Sequence, residues 1–377
     1  MHSTLARLRF PVSQARGRRY PEPPHPYRNE FQRDRDRIVH ARAFRRLENK
    51  TQVFTDPLSD HFRNRLTHTI EVAQMARTVA AVLELDEDLT ETLALAHDLG
   101  HPPFAHAGEE ELNRQMARFG ERFDHNLHAL RIVEWVEQRY ARFPGLNLTF
   151  EVREGIAKHS RDFEPGEFPE LEPYLPGLRP PLEAQLIDLA DEIAYNTADL
   201  DDGYSAGIFT LRDICEQVPH YEPIREEVET QFPGAPERIR FNETLRLLID
   251  RLVSGLIEGT LQAAGEAGAT TAGEVRRYPR RLARLTREAR EITAALKRFL
   301  GRHVYFADEL MAERARLCAA VAQLFDWFLA DPARLPEAYR EALPGEAPHR
   351  LVCDYIAGMT DGFFRRTHDQ MRSGAPL

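Results

Sequence analysis

The residues best suited to chemistry form one short string in the middle of the chain. It runs Leu95-Ala96-His97-Asp98-Leu99-Gly100-His101-Pro102-Pro103-Phe104-Ala105-His106. Ionisable groups are expensive to bury unless they are paired or bind a metal, yet His97 and Asp98 follow directly on an apolar run. Imidazole and carboxylate are ligands for Mn, Fe, Ni and Zn and, with more oxygen ligands, for Mg. Two adjacent residues cannot close such a site, so other helices must supply further ligands.

Two other segments carry polar residues at helical spacing. His68 lies on a predicted helix, with Arg65 and Glu71 three residues to either side on the same face. A later helix carries one polar stripe at spacings of three, four and four residues: Asp188, Asp191, Tyr195 and Asp199. The opposite side of that helix is apolar, so the stripe faces either solvent or a site.

Each of these features also has an ordinary structural explanation. The chain has 15 histidines, and a lone His-Asp dipeptide is more often a satisfied core pair than a ligand pair. Arg65 could form a buried salt bridge, and Tyr195 could be a core tyrosine. Glu109 could simply stabilise the first turn of a helix through the helix dipole. The combination is more specific than any single part.

The elements that must position these residues are helices. The apolar residues of 66–83 recur at steps of three and four, and 88–99, 109–118, 124–142, 182–200, 239–262, 280–300, 307–330 and 347–371 follow the same pattern. The best strand candidate is 146–152. Six prolines within 162–181 predict a long surface loop that could serve as a lid, and 265–273 is typical of a flexible connector. We predict an all-α fold with few or no strands: a basic extended arm (1–33), a helical core (34–215) and a helical C-terminal region packed on it (216–377).

Composition narrows the class of protein. With 377 residues, 42% apolar and 29% charged, the chain is typical of a globular protein. Its net charge of −10 repels nucleic acid and anionic lipid, so a polyanionic ligand needs a local basic site or a metal. The three cysteines are far apart and fit neither a disulfide framework nor a zinc knuckle. No apolar run could span a bilayer, and the N-terminus has no signal-peptide core. We predict a cytoplasmic protein that does not enter membranes.

The order His68, His97-Asp98, Asp191 resembles the HD superfamily of metal-dependent phosphohydrolases. Within it, the chain is similar to dGTP triphosphohydrolase-like enzymes, which cut a dNTP into deoxynucleoside and inorganic triphosphate. The similarity extends over six motifs, which lie at 45–54, 63–69, 97–109, 123–126, 191–196 and 354–361. The chain departs from the family pattern at Ala105, where glycine is expected, and at Ala198, where many relatives carry histidine.

The resemblance implies a role for each candidate residue. One divalent ion, Mn or Mg first and Fe, Ni or Zn as alternatives, would be bound by His68, His97, Asp98 and Asp191. His106 and Glu109 would form a catalytic pair, His101 and His125 would lie near the phosphates, and Arg65 would contact the α-phosphate. Gln52, Tyr195 and Asp199 would contact the deoxyribose. Positions 106 and 109 are one helical turn apart, so the carboxylate can favour the imidazolium, which can protonate a departing 5′-oxygen.

The predicted function is hydrolysis of dNTPs, with control of dNTP pools. Three alternatives stay open: a 5′-deoxynucleotidase, a phosphodiesterase, and a nucleotide- or single-stranded-DNA-binding regulatory module with a vestigial site. The resemblance also implies a homo-oligomer, a tetramer or hexamer, and an effector dNTP at a subunit interface. Two basic segments, 1–50 and 276–302, could bind that effector or single-stranded DNA, or could be solvated surface.

Overall fold

Helices dominate the structure of this chain. The computed structural model describes residues 4–52, 63–306, 308–342 and 345–374. Within these ranges there is no β-sheet, and the strand-like pairings are three isolated bridges. The predicted all-α class is confirmed. No helix in the described ranges is long and apolar enough to cross a membrane.

The helices occur in the following order along the chain. In the first half of the chain they are α1 (Glu30–Val39), α2 (Arg42–Arg46), α3 (Arg65–Leu83), α4 (Glu87–Ala96), α5 (Ala105–Ala117), α6 (His125–Arg131) and α7 (Phe150–Ala157). They continue with α8 (Leu182–Ser205), α9 (Leu211–Gln217), α10 (Tyr221–Gln231), α11 (Glu237–Ala267), α12 (Ala272–Arg277) and α13 (Arg287–Leu300). The last are α14 (Asp308–Ala330), α15 (Glu337–Ala342), α16 (Pro348–Ala357) and α17 (Asp361–Ser373).

The chain divides into two compact units, each built from separate stretches of sequence. The first unit comprises residues 1–10, 71–90 and 181–311, and the second comprises 11–70, 91–180 and 312–377. The boundaries predicted from the sequence, after residues 33 and 215, stay a prediction.

The second unit has an apolar core built around α5. This helix packs against α16, α17 and the part of α14 from residue 312 onward, through fully buried side chains such as Leu112, Met116, Phe325, Val352 and Ile356. Burying one such side chain contributes about 1.5–3 kcal/mol. The apolar face of α5 is therefore fixed, and its other face is left to carry His106 and Glu109.

The first unit is organised around the long helix α8, which packs on α11 and α13. Glycines on α11 permit a close approach of the backbone. A Cβ atom on Gly259 would lie 2.1 Å from the carbonyl oxygen of Arg284, and one on Gly255 would lie 2.5 Å from the Cβ of Ala289. Side chains at these positions would force α13 away from α11.

The strand predicted at 146–152 is wrong. Thr149 makes only an isolated bridge to Arg18, and α7 begins at the next residue. The described residues offer this segment no neighbouring strand, so the amide of Leu146 bonds the carbonyl oxygen of Val133 and the chain enters a helix at Phe150. Asp34 holds the start of α7, since its carboxylate accepts hydrogen bonds from the Thr149 amide (2.8 Å) and hydroxyl (2.6 Å).

The proline-rich segment 162–181 is a loop, as predicted, but it is anchored. It contains a short 3-10 helix, Pro169–Tyr174, with Leu171 and Tyr174 buried. The buried Lys158 ammonium donates to the carbonyl oxygens of Leu175 and Leu178, each at 2.8 Å. That it serves as a lid stays a prediction.

Candidate active site

The turn between α4 and α5 carries the His-Asp pair. Helix α4 ends at Ala96, and the amide of His101 then bonds the carbonyl oxygen of Asp98 at 3.2 Å. A Cβ atom on Gly100 would lie 1.9 Å from the carbonyl oxygen of His125. Only glycine lets this turn rest directly on the backbone of α6. The sequence therefore brings the His-Asp turn and His125 together.

His68, His97 and Asp98 form a buried group in the second unit. The rings of His68 and His97 are 5.7 Å apart between centroids, and they offer ligand nitrogens within 4.8 Å of each other. His97 Nδ1 lies 2.6 Å from the carbonyl oxygen of Ala94. Because a carbonyl oxygen only accepts, Nδ1 carries the proton in the neutral ring, and the lone pair of Nε2 is then available to a metal. Two imidazoles and a carboxylate, buried together with one tautomer fixed, fit a divalent metal ion.

The Asp98 carboxylate is held in its charged form. Arg65 Nη1 donates to Oδ2 at 2.9 Å, and His101 Nε2 lies 3.0 Å from Oδ1. Burial raises the pKa of Asp98, but the charges of His97, Arg65 and His101 outweigh burial and bring the net pKa well below its ordinary value. An ionised, oriented carboxylate is the form that binds a cation.

Arg65 has donor capacity that Asp98 does not use. Its side chain is buried, and its Nε has no hydrogen-bond acceptor among the described residues. A buried guanidinium donor of this kind matches the geometry of a phosphate oxygen. The same side chain also forms the buried salt bridge that the sequence left as the ordinary explanation.

A second group lies beside the first and consists of His101, His125 and Glu109. The rings of His101 and His125 are stacked, with centroids 4.0 Å apart. Glu109 accepts hydrogen bonds from Nδ1 of His125 at 2.7 Å and from its amide at 2.9 Å. Burial raises the pKa of Glu109, but His106 and His125 together lower it far below its ordinary value, so Glu109 is a carboxylate near neutral pH.

The spacing of His106 and Glu109 predicts that they form a pair. In the structure, however, Glu109 lies closer to His125 than to His106. Nδ1 of His106 is 3.8 Å from Glu109, and the side chain of His106 is 81% exposed. The closer partner of Glu109 is His125, which lies 16 residues away on α6. His106 is thus free to turn toward a bound substrate, whereas His125 is oriented in advance.

His159 is a further member of this group, and the sequence assigned it no chemistry. Its buried ring lies 5.2 Å from the ring of His97 and 6.4 Å from that of His125. The carbonyl oxygen of His159 accepts a hydrogen bond from the side chain of Asn126 at 2.8 Å. The only signal in the sequence was the tripeptide Lys158-His159-Ser160.

The predicted polar stripe on α8 belongs to the first unit. Asp188 pairs with Arg281, and Asp199 is buried and accepts a hydrogen bond from the hydroxyl of Tyr305. Tyr195 is half-buried, with the ammonium of Lys297 5.8 Å from its ring centroid. Tyr305 was not among the predicted residues, because it lies 106 positions from Asp199. That Asp191 completes the ligand set stays a prediction.

Comparisons with known proteins match this geometry to families. Residues 65–196 match the HD domain, and residues 283–370 match a phosphohydrolase-associated domain. A deoxyguanosinetriphosphate triphosphohydrolase-like protein of Ralstonia nicotianae is 46% identical over 358 residues, which are 95% of this chain and 92% of the relative. Proteins with the same description from Bordetella parapertussis (45% identical, 97% and 96% covered) and Geobacter sulfurreducens (44%, 93% and 90%) are also similar.

The chain belongs to the deoxyguanosinetriphosphate triphosphohydrolase-like family of HD-domain proteins. Membership confirms the resemblance found in the sequence and supports a phosphohydrolase that acts on a nucleotide. HD domains are metal-dependent, and His68 and His97 belong to a candidate metal site in this family member. The four predicted ligands all fall within the matched HD domain, and Tyr305 falls within the associated domain.

Proposed function

We propose that this HD-domain phosphohydrolase cleaves deoxynucleoside triphosphates into deoxynucleoside and inorganic triphosphate, and thereby controls dNTP pools. One observation carries the proposal: in the second unit, Asp98 is bonded to both Arg65 and His101. Residues suited to a metal therefore adjoin residues suited to a phosphate. Close packing of a cation site and phosphate-binding groups is what hydrolysis at phosphorus requires.

One divalent ion would be held by His68, His97, Asp98 and Asp191, with Mn or Mg expected and Fe, Ni or Zn also compatible with these ligands. When bound, it would neutralise phosphate charge and lower the pKa of a water molecule. The buried position of the first three ligands supports this role. Arg65 would orient the α-phosphate through its Nε, and the stacked pair His101 and His125 would lie along the phosphate chain.

The protein groups account for the proton balance of the proposed reaction. Water attacks the α-phosphorus, a new P–O bond forms, and the bond from phosphorus to the 5′-oxygen breaks. His106 donates the proton that the departing 5′-oxygen needs, and the carboxylate of Glu109 lies beside its ring, 3.8 Å from Nδ1. The attacking water loses its proton to the medium as triphosphate is released. Gln52, Tyr195 and Asp199 would contact the deoxyribose.

The decisive test is product analysis with isotopic labelling. The protein is incubated with each of the four dNTPs, singly and mixed, with Mn or Mg in ¹⁸O-labelled water. We expect deoxynucleoside and triphosphate as products, with the label in the triphosphate and none in the nucleoside 5′-hydroxyl. Orthophosphate from a deoxynucleoside monophosphate would indicate a 5′-deoxynucleotidase. Hydrolysis of a dinucleotide would indicate a phosphodiesterase, and DNA binding without any turnover would indicate a regulatory module.

A further inference from the structure

The carboxylate of Asp361 joins three segments of the second unit. Its Oδ2 accepts hydrogen bonds from the Thr51 amide, at 2.9 Å, and from the Thr51 hydroxyl. Its Oδ1 accepts from the amide of Phe104 at 3.1 Å. Asp361 is the first residue of α17, Thr51 precedes Gln52, and Phe104 precedes the helix that carries His106 and Glu109. One side chain thus bonds to two segments with predicted substrate contacts.

The turn that Asp361 holds has an unfavourable backbone conformation. Phe104 has φ 62° and Ala105 has φ 50°, both in the left-handed region. This region costs roughly 1–2 kcal/mol for each residue other than glycine. Besides the bond to Asp361, the ring of Phe104 packs edge-to-face on Phe364 of α17, with centroids 5.0 Å apart. Helix α17 therefore holds the start of α5 in a conformation that the turn would not adopt alone.

Neighbouring bonds tie the same two regions together. The ammonium of Lys50 is buried and donates to the carbonyl oxygens of His101 and Ala357. Arg46 donates to the carbonyl oxygen of Gly358 at 2.9 Å. The segment 357–361, between α16 and α17, thus receives hydrogen bonds from three residues of 46–51. Lys50 reaches the carbonyl oxygen of His101 in the turn between α4 and α5, whereas Asp361 bonds the amide of Phe104, directly before α5.

We infer that Asp361 is a positioning residue of the proposed reaction, on which this inference rests. It touches neither substrate nor metal in this role. Its carboxylate fixes the start of α5, and so the location of His106 and Glu109, and it holds Thr51 so that Gln52 is presented at a fixed place. The residues matched to the phosphohydrolase-associated domain include Asp361. On this inference, that domain helps to hold the catalytic segments in place.

The test compares Asp361→Ala with Thr360→Ala, a matched control. Thr360 caps the same helix, with its side chain accepting from the amide of Phe363 at 3.3 Å, but within the described residues it forms no hydrogen bond with Thr51 or Phe104. We expect Asp361→Ala to keep its bound Mn and to lower kcat for dNTPs roughly 10- to 100-fold, as misplaced groups do. Its preference for dNTP over rNTP should also fall. Thr360→Ala should keep both kcat and selectivity.

Ala105→Gly provides a second arm, because glycine adopts the left-handed conformation without strain. Added to Asp361→Ala, it should restore part of the lost kcat, and added to Thr360→Ala it should change little. Equal losses in both single variants without rescue by Ala105→Gly would show a purely structural role. Unchanged kcat and selectivity in Asp361→Ala would also overturn the inference. Should Asp361→Ala fail to fold, Asp361→Asn, which keeps one acceptor oxygen, takes its place in the same comparison.

Hydrogen exchange separates this inference from the proposed function. Exchange of backbone amides in 48–52 and 101–112 should rise in Asp361→Ala and not in Thr360→Ala, whatever substrate the protein cleaves. If the wild-type protein does not hydrolyse dNTPs, the proposed function is wrong. The exchange comparison would still decide whether Asp361 holds the two segments. Unaltered exchange in both segments would refute the positioning role.

Discussion

Individual histidines in the second unit have distinct environments, and these environments separate their roles. His97 has its tautomer set by the carbonyl oxygen of Ala94, His125 is oriented by Glu109, and His106 points to solvent. The sequence predicted all three as site residues. It could not rank the partners of Glu109, because spacing along one helix reports neighbours on that helix only. His125 lies on α6, and it is close to Glu109 because the glycine at position 100 lets the turn after α4 pack against the backbone of α6.

The first prediction separates metal binding from proton donation. His68→Ala and His97→Ala should lose the bound metal, since each removes a ligand from a small buried set. His106→Ala should keep the metal and lower kcat about 10²- to 10⁴-fold, the usual contribution of a general acid. Metal content by elemental mass spectrometry and turnover of dNTPs are measured on the same samples. Intact turnover in His106→Ala would show that another group protonates the 5′-oxygen.

A second prediction concerns His159, whose ring lies near those of His97 and His125. If its imidazole contacts a phosphate, both His159→Gln and His159→Phe should lower kcat/KM roughly 10- to 100-fold, as loss of a charge-assisted hydrogen bond does, while metal content is unchanged. Phenylalanine keeps the ring contact with His97, so activity retained only in His159→Phe would indicate packing instead. The control is His349→Gln, in which the replaced ring stacks on Phe119, 4.2 Å away between centroids, outside the histidine group.

At the scale of elements, the site depends on how closely helices approach one another. Gly100→Ala would place a methyl group against the backbone of α6. We expect the free energy of unfolding to fall by about 1–3 kcal/mol and dNTP turnover to be lost. The control is Gly265→Ala on α11, where a Cβ meets nothing within 4 Å. Alanine at position 265 should raise the free energy of unfolding by up to about 1 kcal/mol, because it favours the helical conformation more than glycine does. Urea unfolding of both variants provides the measurement, and equal effects would mean that the close approach at Gly100 has no special importance.

Most helices were predictable because their apolar residues repeat at helical spacing, but their ends were not. The pattern over 280–300 predicted a helix, whereas α13 begins at Arg287. Thr286 caps that helix, and the preceding backbone is held elsewhere: the amide of Leu282 donates to Gln185 at 2.7 Å. Such contacts join positions about a hundred residues apart. The pattern over 347–371 likewise splits at residues 358–360, where the bonds from Arg46, Lys50 and Thr51 converge on the C-terminal helices.

At the scale of the whole molecule, the basic segment 276–302 is less exposed to a ligand than its composition suggests. In the first unit four of its cations pair with acids: Arg281 with Asp188, Arg284 with Glu266, Arg287 with Glu291 and Lys297 with Glu192. The last three pairs favour the solvated-surface interpretation, whereas Arg281 and Asp188 form a largely buried pair. An effector dNTP, single-stranded DNA and a tetramer or hexamer stay predictions, each open to measurement by native mass spectrometry with and without nucleotide.

The buried carboxyl group of Glu183, in the first unit, should make the stability of the molecule depend on pH. It accepts hydrogen bonds from the amides of Phe10 (2.9 Å) and Asp86 (3.1 Å) and so joins three separate stretches of the chain. Burial, with a smaller contribution from the Asp86 charge, raises the pKa of Glu183 to about 7, despite these bonds. The folded protein therefore binds a proton that the unfolded chain releases at lower pH.

The sign of the effect follows from that difference. Between the ordinary pKa of a glutamate and about 7, the folded state holds more protons, so the free energy of unfolding should fall as pH rises through this window. The loss approaches about 3 kcal/mol when Glu183 is fully ionised. Glu183→Gln keeps an acceptor for both amides and cannot ionise, so its stability relative to wild type should grow between pH 5 and pH 8. Urea unfolding at pH 5, 6.5 and 8 measures this, and a difference that stays constant over that range would show that Glu183 keeps one protonation state throughout.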